Sequence, residues 1–220
     1  MNIETVITQE QLIRAVSETL RMVGFSLLFG SLLGIPVGIL LVVTRPGGLL
    51  QNRLIYKTIN PVINVVRSLP FIILLVAILP LTRLIVNTSI GTSAAIVPLV
   101  LYITPFIGRL VENSLLEVNP GILEAAQAMG ATPYQVIRHF MLPEAFGSLI
   151  LTMTTATIGL IGATAMAGTV GGGGLGDLAI SYGYQRFDTF TIVVTVVLLV
   201  VFVQGIQSAG NALARKARRE

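Results

Sequence analysis

The sequence predicts an all-α integral membrane protein with five transmembrane helices. Of its 220 residues, 54% are hydrophobic and only 11% are charged, whereas a soluble domain carries about 25% charged residues. The mean hydropathy is +0.87, and the apolar residues form runs that approach or exceed the roughly 18 residues of a spanning helix. The predicted spans are, in chain order, 18–43, 60–84, 91–113, 145–168 and 187–210.

The basic residues predict the orientation of these spans. Five spans place the two termini on opposite sides, and cytoplasmic segments carry an excess of Lys and Arg. With the carboxyl terminus inside, the cytoplasmic segments hold nine basic residues, namely Arg45, Arg53, Lys57, Arg109, Arg138, Arg215, Lys216, Arg218 and Arg219. The outer segments hold four, namely Arg14, Arg21, Arg83 and Arg186. The amino terminus is therefore expected outside and the stretch 119–143 in the cytoplasm.

The residues before the first span do not resemble a cleavable signal peptide. The opening stretch MNIETVITQEQL carries acids where a basic region would be expected. Thr8 and Gln11 fit a capping box, and Leu12 and Val16 follow at helical spacing. Residues 8–17 are predicted either to form a short amphipathic helix on the outer surface or to be a solvated lead-in.

The first span carries small residues on one face. Ser26, Gly30, Gly34 and Gly38 recur every four residues, and Pro36 beside them should bend the helix. Small residues at this spacing let a second helix approach closely in lipid. Gly30, Gly34 and Gly38 are therefore predicted to be helix-packing positions.

The second span is short in apolar residues, 68–81, unless its helix extends back through Asn60 and Arg67. That extension places Asn60, Asn64, Arg67 and Ser68 on one stripe. A charge at the bilayer centre costs about 2.5–3.5 kcal/mol on insertion scales, so Arg67 should not face lipid. Two interpretations stay open. Either Arg67 extends to the cytoplasmic interface, or the stripe faces a wet cavity or a partner helix.

The fourth span is rich in glycine and threonine and poor in bulky side chains. Such a helix suits the inside of a bundle or a path for a polar solute, and packing alone explains it as well. The candidate residues for a translocation path are Asn64, Arg67, Ser68, Thr155, Gly159 and Gly162.

Nothing in the sequence indicates catalysis or a cofactor. The loop 170–188 contains Gly-x-Gly-x-x-Gly, but no strand precedes it, which excludes a dinucleotide site. There is no P-loop signature and no cysteine, and the single His139 cannot build a metal site alone. The net charge of +4 does not indicate nucleic-acid binding. The loop is expected to present four side chains to a partner: Tyr182, Tyr184, Arg186 and Asp188.

The stretch 119–143 is predicted to be a helix–turn–helix hairpin. Asn119 is a good N-cap with Pro120 after it, and Gly130 can end a helix of about nine residues. Thr132 and Pro133 begin a second helix, which runs to about Met141 and is closed by Pro143. Ala125, Ala126 and Ala128 leave little side-chain bulk, so the hairpin is expected to dock into a groove on another protein.

This spacing resembles the EAA motif of ABC-importer permeases. Glu124, Ala125 and Ala126 are followed after three residues by Gly130, and the run ends at Leu142 and Pro143. Phe140 stands where the family usually has Ile. Further stretches, among them VTRPGG at 43–48 and GGGGLGDLAISYGY at 171–184, resemble permease subunits of the methionine-importer family.

The resemblance implies one permease domain over residues 1–220, with 119–143 as its coupling segment. The implied ATPase contacts are Glu124, Ala125, Ala126, Met129 and Gly130. The implied partners are a second copy of the chain, two cytoplasmic ATPases that bind ATP and Mg²⁺, and an extracytoplasmic methionine-binding lipoprotein. The implied location is a bacterial inner membrane, and the implied solute is L- and D-methionine. The alternatives are another amino acid or small peptide as solute, or an ion-coupled secondary transporter.

Overall fold

A computed structural model describes residues 7–218, and every regular element in that range is helical. The α-helices, in chain order, are α1 Gln9–Thr44, α2 Arg53–Ser68, α3 Phe71–Ala77, α4 Leu79–Val86, α5 Thr92–Leu116, α6 Pro120–Ala128, α7 Pro133–Gln135, α8 Leu142–Glu144, α9 Phe146–Gly168, α10 Gly174–Leu178 and α11 Thr189–Ala217. Two π-helical turns, Val136–Met141 and Ala179–Tyr184, follow α7 and α10. The first six residues and Arg219 of the predicted basic tail lie outside the described residues.

Four helices are long and apolar enough to cross a membrane: α1, α5, α9 and α11. They confirm the first, third, fourth and fifth predicted spans, although α1 and α11 extend beyond the predicted bounds. The chain is therefore an all-helical membrane protein with four candidate spans, or five if the bent pair α2 and α3 counts as one.

The second predicted span, 60–84, is wrong as a continuous helix. The structure divides it among α2, α3 and α4, and α2 and α3 meet at an angle of 104°. The break falls at Leu69 and Pro70. A residue that precedes proline is disfavoured in the α conformation, and proline has no N–H to continue the helical bonds. The helix accordingly ends at Ser68.

Of the two alternatives left open for residues 8–17, the separate short helix is wrong, because the residues from Gln9 onwards form the start of α1. The expected capping box is present: the Gln11 N–H donates to Thr8 Oγ1 at 3.2 Å, and the Thr8 N–H donates to Gln11 Oε1 at 2.9 Å. Leu12 and Val16 pack against a buried cluster that contains Leu175 and Leu178. The apolar side of this segment is therefore covered by the chain itself.

Internal contacts divide the chain into two compact units. The first contains the described residues up to Gly30 together with Leu69–Ile103 and Thr157–Gln207. The second contains Ser31–Ser68, Thr104–Ala156 and the described residues from Ser208 onwards.

In the first unit, α1 binds the glycine-rich start of α10. The Gly174 N–H donates to Glu18 Oε2 at 2.9 Å, and the Leu175 N–H donates to Thr19 Oγ1 at 2.9 Å. A Cβ at Gly173 would lie 2.6 Å from Glu18 Oε2, and one at Gly176 would lie 2.3 Å from the Ala165 carbonyl oxygen. These glycines therefore serve close packing.

Three of the four side chains expected to face a partner from this loop make contacts within the chain. The Tyr182 hydroxyl accepts a hydrogen bond from Gln11 at 3.2 Å, and the Tyr182 ring lies under the Arg186 guanidinium. Asp188 caps α11 by accepting from the Phe190 N–H at 3.0 Å and the Thr191 hydroxyl at 2.6 Å. Tyr184 is exposed, as is its neighbour Phe187.

In the second unit, the small-residue face of α1 packs directly on α5. A Cβ at Gly34 would lie 2.7 Å from the Thr104 carbonyl oxygen, and one at Gly38 would lie 2.7 Å from the Val111 Cβ. The helices therefore approach at a distance that no larger residue permits. Gly30, which belongs to the first unit, is buried as well.

Candidate functional site

The stretch 119–143 forms a hairpin of short helices with defined ends. The Asn119 side chain caps α6 by accepting from the Gly121 N–H at 2.9 Å, and Pro120 occupies the first helical position. Met129 ends the helix, and Gly130 follows with φ of +84°. Because only glycine enters this left-handed region at little cost, Gly130 fixes the turn.

The second half of the hairpin begins with a capping box. The Gln135 N–H donates to Thr132 Oγ1 at 3.4 Å, and the Thr132 N–H donates to Gln135 Oε1 at 2.8 Å. These reciprocal bonds satisfy two N–H groups that a helix start leaves without partners. The turn between the helices is therefore held by backbone hydrogen bonds on the α6 side and by the Thr132 and Gln135 side chains on the α7 side.

The helix predicted to run from Pro133 to about Met141 differs from the structure. After α7 the backbone widens into the π turn Val136–Met141 and then continues as α8, so Pro143 lies inside the helical path and does not close it. A proline ring clashes with the carbonyl four residues earlier in an α-helix. A π turn immediately before the proline accommodates that geometry, and such turns are frequent at functional sites.

The hairpin presents a small apolar surface. Met129 is 72% exposed and Tyr134 is 63% exposed, and Glu124 and Ala125 are exposed on α6. Ala126, by contrast, is fully buried within this chain. An exposed Ala126 was expected from the sequence, and the structure places this methyl group against the chain's own interior.

The hairpin also carries a positive charge that does not depend on pH near neutrality. The Arg138 guanidinium donates to the Tyr134 hydroxyl at 2.7 Å and lies over its ring. This hydrogen bond raises the pKa of Arg138 above its already high ordinary value. His139 is exposed beside it.

Polar contacts join the two helices from which the hairpin emerges. The hydroxyls of Ser114 on α5 and Thr152 on α9 share a buried hydrogen bond of 2.7 Å. Ser148 donates to Glu117 Oε2 at 2.9 Å. These bonds connect the end of α5 to the start of α9. The helices before and after the hairpin are therefore bonded to each other.

A cavity of about 310 Å³ lies between α6 and the loop that follows α1. Its walls combine apolar side chains, among them Leu115, Leu123 and Met141, with the charged Arg45 and Glu124. The inner side of α6 is thus not closely packed along its whole length.

The predicted polar stripe of α2 meets a guanidinium from α5. Arg109 donates to Asn60 Oδ1 at 2.5 Å, to Asn64 Oδ1 at 2.8 Å and to Glu112 Oε2 at 2.5 Å. For Asn60 and Asn64, the interpretation that the stripe faces a partner helix applies, and that helix is α5. Arg67 and Ser68 are exposed, and the Ser68 hydroxyl donates to the Asn64 carbonyl oxygen at 2.7 Å.

The other candidate path residues lie on α9. Thr155 is exposed in the second unit, and its hydroxyl donates to the Leu151 carbonyl oxygen at 3.0 Å. In the first unit Gly162 is exposed with open space where a Cβ would be, and Gly159 is partly buried.

Sequence reasoning missed the role of Arg109 and Glu112, which it treated as the exit of the third span. Their spacing of three residues on a helix is a recognisable ion-pair signal. The contact of Arg109 with Asn60, 49 residues away, has no local signal. Across residues 7–218 no group of three or more metal-ligating side chains is placed to hold a metal ion.

The chain matches known transport proteins over most of its length. Residues 30–219 match the family described as binding-protein-dependent transport system inner membrane component. The chain is 50% identical over 210 residues to the probable D-methionine transport system permease protein MetI of Vibrio cholerae serotype O1, which covers 96% of this chain and 93% of that protein. It is 52% identical over 157 residues to the D-methionine transport system permease protein MetI of Escherichia coli K12, which covers 71% of this chain and 72% of that protein.

Solved structures agree with these matches. A chain of the inward facing MetNI methionine ABC transporter, in its native crystal form, superposes with a TM-score of 0.93 at 47% identity, covering 96% of this chain and 99% of that one. A crystal structure of an amino acid ABC transporter superposes with a TM-score of 0.79 at 16% identity, which is a likeness of fold alone.

Proposed function

This chain belongs to the family of binding-protein-dependent transport system inner membrane components, and we propose that it is the permease subunit of an ATP-driven importer for methionine. The observation that carries the proposal is the match to the MetNI methionine transporter over 96% of the chain. The chain is a multi-pass permease and not the catalytic subunit, and no cofactor is expected on it. Both L- and D-methionine are the expected solutes.

The hairpin at 119–143 is the coupling segment in this proposal. Its ends are fixed by the caps at Asn119 and Thr132 and by the left-handed Gly130, so it can transmit a displacement without first deforming. The exposed Glu124, Ala125 and Met129 form the surface that docks on the ATPase. Ala126 and Gly130 contribute to the shape of the hairpin, Ala126 from within and Gly130 through its backbone.

The orientation follows the basic residues, with the amino terminus outside and the coupling segment in the cytoplasm. The exposed Arg138 and His139 on the hairpin accord with a cytoplasmic location. The whole chain acts as a single permease domain in a bacterial inner membrane, with 119–143 as its cytoplasmic element.

The transport cycle requires partners that this chain does not supply. Two copies of the chain enclose a path, and two cytoplasmic ATPases bind ATP and Mg²⁺. An extracytoplasmic lipoprotein delivers methionine. Closure of the ATPases moves the coupling segments, and the spans alternate between inward-facing and outward-facing states. Candidate residues along the path are the exposed Asn64, Arg67, Ser68, Thr155 and Gly162, together with Gly159.

Uptake by vesicles that contain the whole complex tests the proposal. We expect uptake of labelled L-methionine to require ATP and to be competed by unlabelled D-methionine more strongly than by other amino acids or small peptides. Uptake that persists without ATP but needs an ion gradient would instead identify a secondary transporter. Stronger competition by another amino acid would show that methionine is the wrong solute.

A further inference from the structure

One guanidinium joins two helices of the second unit. The Arg109 side chain on α5 donates to the amide oxygens of Asn60 and Asn64, both on α2, and to the carboxylate of Glu112 on its own helix. Asn60 and Asn64 are one helical turn apart, so the planar guanidinium contacts two successive turns of α2. One nitrogen of the guanidinium donates to both amide oxygens and the other donates to Glu112, so the planar group binds α2 and the carboxylate at the same time.

The bonds that join Arg109 to Glu112 and to α2 are difficult to break. The Glu112 side chain is 4% exposed and the Arg109 side chain is 17% exposed. Removing one partner of such a buried pair leaves the other charge without compensation, which is strongly unfavourable. Glu112 therefore holds the guanidinium in place, and α2 is expected to remain attached to α5 while other contacts rearrange.

The position of Arg109 near the hairpin suggests how movement of the hairpin could reach α2. α5 ends at Leu116 and α6 begins at Pro120, so Arg109 lies about two helical turns before the end of the helix that leads into the hairpin. A displacement of the hairpin reaches α5 through the backbone and α9 through the Ser114–Thr152 bond. α2, in contrast, is separated from the hairpin along the chain by α3, α4 and the whole of α5.

We propose that Arg109 is a positioning residue that makes α2 follow α5 when the coupling segment moves. This inference rests on the proposed function, because it presumes that the hairpin is moved by an ATPase. α2 carries the exposed Arg67 and Ser68, so its movement changes the polar surface of the candidate path. Without Arg109 the ATPase still docks and hydrolyses ATP, but the movement reaches α2 incompletely.

The test measures methionine transported per ATP hydrolysed in vesicles that contain the complete complex. Arg109→Gln is expected to lower this ratio at least tenfold while the ATPase rate stays within twofold. Arg109→Lys keeps the charge but has one donating nitrogen instead of two, and it should restore part of the ratio. The matched control is Arg53→Gln, an exposed arginine on α2, which should keep the wild-type ratio.

The outcomes separate this inference from the proposed function. If the wild-type complex takes up no methionine with ATP, the proposed function fails. If the wild type transports and Arg109→Gln keeps the wild-type ratio, only the role of Arg109 fails. Should Arg109→Gln not assemble, the double variant Asn60→Ala with Asn64→Ala leaves the ion pair intact. This double variant should lower the methionine transported per ATP at least threefold. A value equal to that of the wild type would overturn the inference.

A distance measurement tests the movement directly. The chain contains no cysteine, so spin labels can be attached at Lys57→Cys on α2 and Asn113→Cys on α5, both exposed positions. In complexes in which only one of the two copies of the chain carries labels, we expect one narrow distance distribution that does not change between the nucleotide-free and ATP-trapped states. With Asn60→Ala and Asn64→Ala added, the distribution should differ between the two states. A wild-type distance that changes with nucleotide would show that α2 does not follow α5.

Discussion

Gly38 on α1 lies against Gly108 on α5, and a Cβ added to Gly38 would stand 2.6 Å from the Gly108 carbonyl oxygen. The same Cβ would also lie 2.7 Å from the Val111 Cβ, so a backbone carbonyl and a β-branched side chain of α5 both occupy the space. The small residues of the first span therefore set the distance between two helices of the second unit.

Gly38→Ala is expected to destabilise the protein by about 1–3 kcal/mol, because the extra methyl group forces α1 and α5 apart. Thermal unfolding of the detergent-purified protein measures the loss. The matched control is Gly24→Ala on the same helix, where no heavy atom lies within 4 Å of an added Cβ. Equal unfolding temperatures for the two variants would contradict the close contact.

Gly130→Ala is expected to reduce ATP-dependent uptake, because an alanine at φ of +84° costs about 1–2 kcal/mol and loosens the turn of the hairpin. Gly130→Asn should retain most of the uptake, since asparagine tolerates the left-handed conformation better. Initial uptake rates, normalised to the amount of protein in the membrane, measure both. A larger loss for Asn than for Ala would mean that backbone conformation is not the reason.

Met129→Arg and Ala126→Arg should fail for different reasons. Met129 is 72% exposed whereas Ala126 is fully buried. Met129→Arg should insert and fold normally but lose co-purification of the ATPase. Ala126→Arg places an unpaired charge in the interior and should lower the yield of folded permease. A Met129→Arg permease that still co-purifies with the ATPase would count against this docking surface.

The proposed orientation predicts opposite accessibility for two exposed positions. In intact cells a membrane-impermeant maleimide should label Phe187→Cys, which lies in the loop before α11, and should not label Ala128→Cys on α6. After the cells are opened, both positions should react. Labelling of Ala128→Cys from outside would invert the topology and remove the coupling role of the hairpin.

Glu18→Ala is expected to cost about 1–3 kcal/mol, because the Gly174 N–H loses its carboxylate acceptor in a buried position. Thermal unfolding and proteolysis of the 170–188 loop should both report the change. Ser17→Ala, one residue earlier on α1, is the control and should lie within about 0.5 kcal/mol of the wild type. If both variants resist proteolysis at 170–188 equally well, the bond from Glu18 on α1 does not stabilise this segment.

The long helices were predictable because a spanning run of apolar residues has few alternatives in lipid. The break in the second span was not, although Leu69 and Pro70 carry a local signal for it, because hydropathy averages over the run that contains them. The caps at Asn119 and Thr132 were predictable, since capping depends on neighbours within three residues.

Contacts between distant helices decide which residues are buried and which side chains bond to each other, and the sequence alone did not show these. Ala125 and Ala126 are the same residue type in adjacent positions, yet one is exposed and the other is buried. Arg109 and Glu112 are close along one helix, but the amide oxygens that complete their network come from α2. No periodicity in the sequence identifies which distant helix will supply them.

The interruption at Leu69 and Pro70 imposes a demand on whatever surrounds it. A helix that stops partway through a bilayer leaves carbonyl groups that hydrocarbon cannot solvate, so irregular backbone at that depth is tolerated only beside water or another protein surface. If α2 and α3 together form one bent span, the segment between them therefore needs water or protein beside it and cannot face lipid.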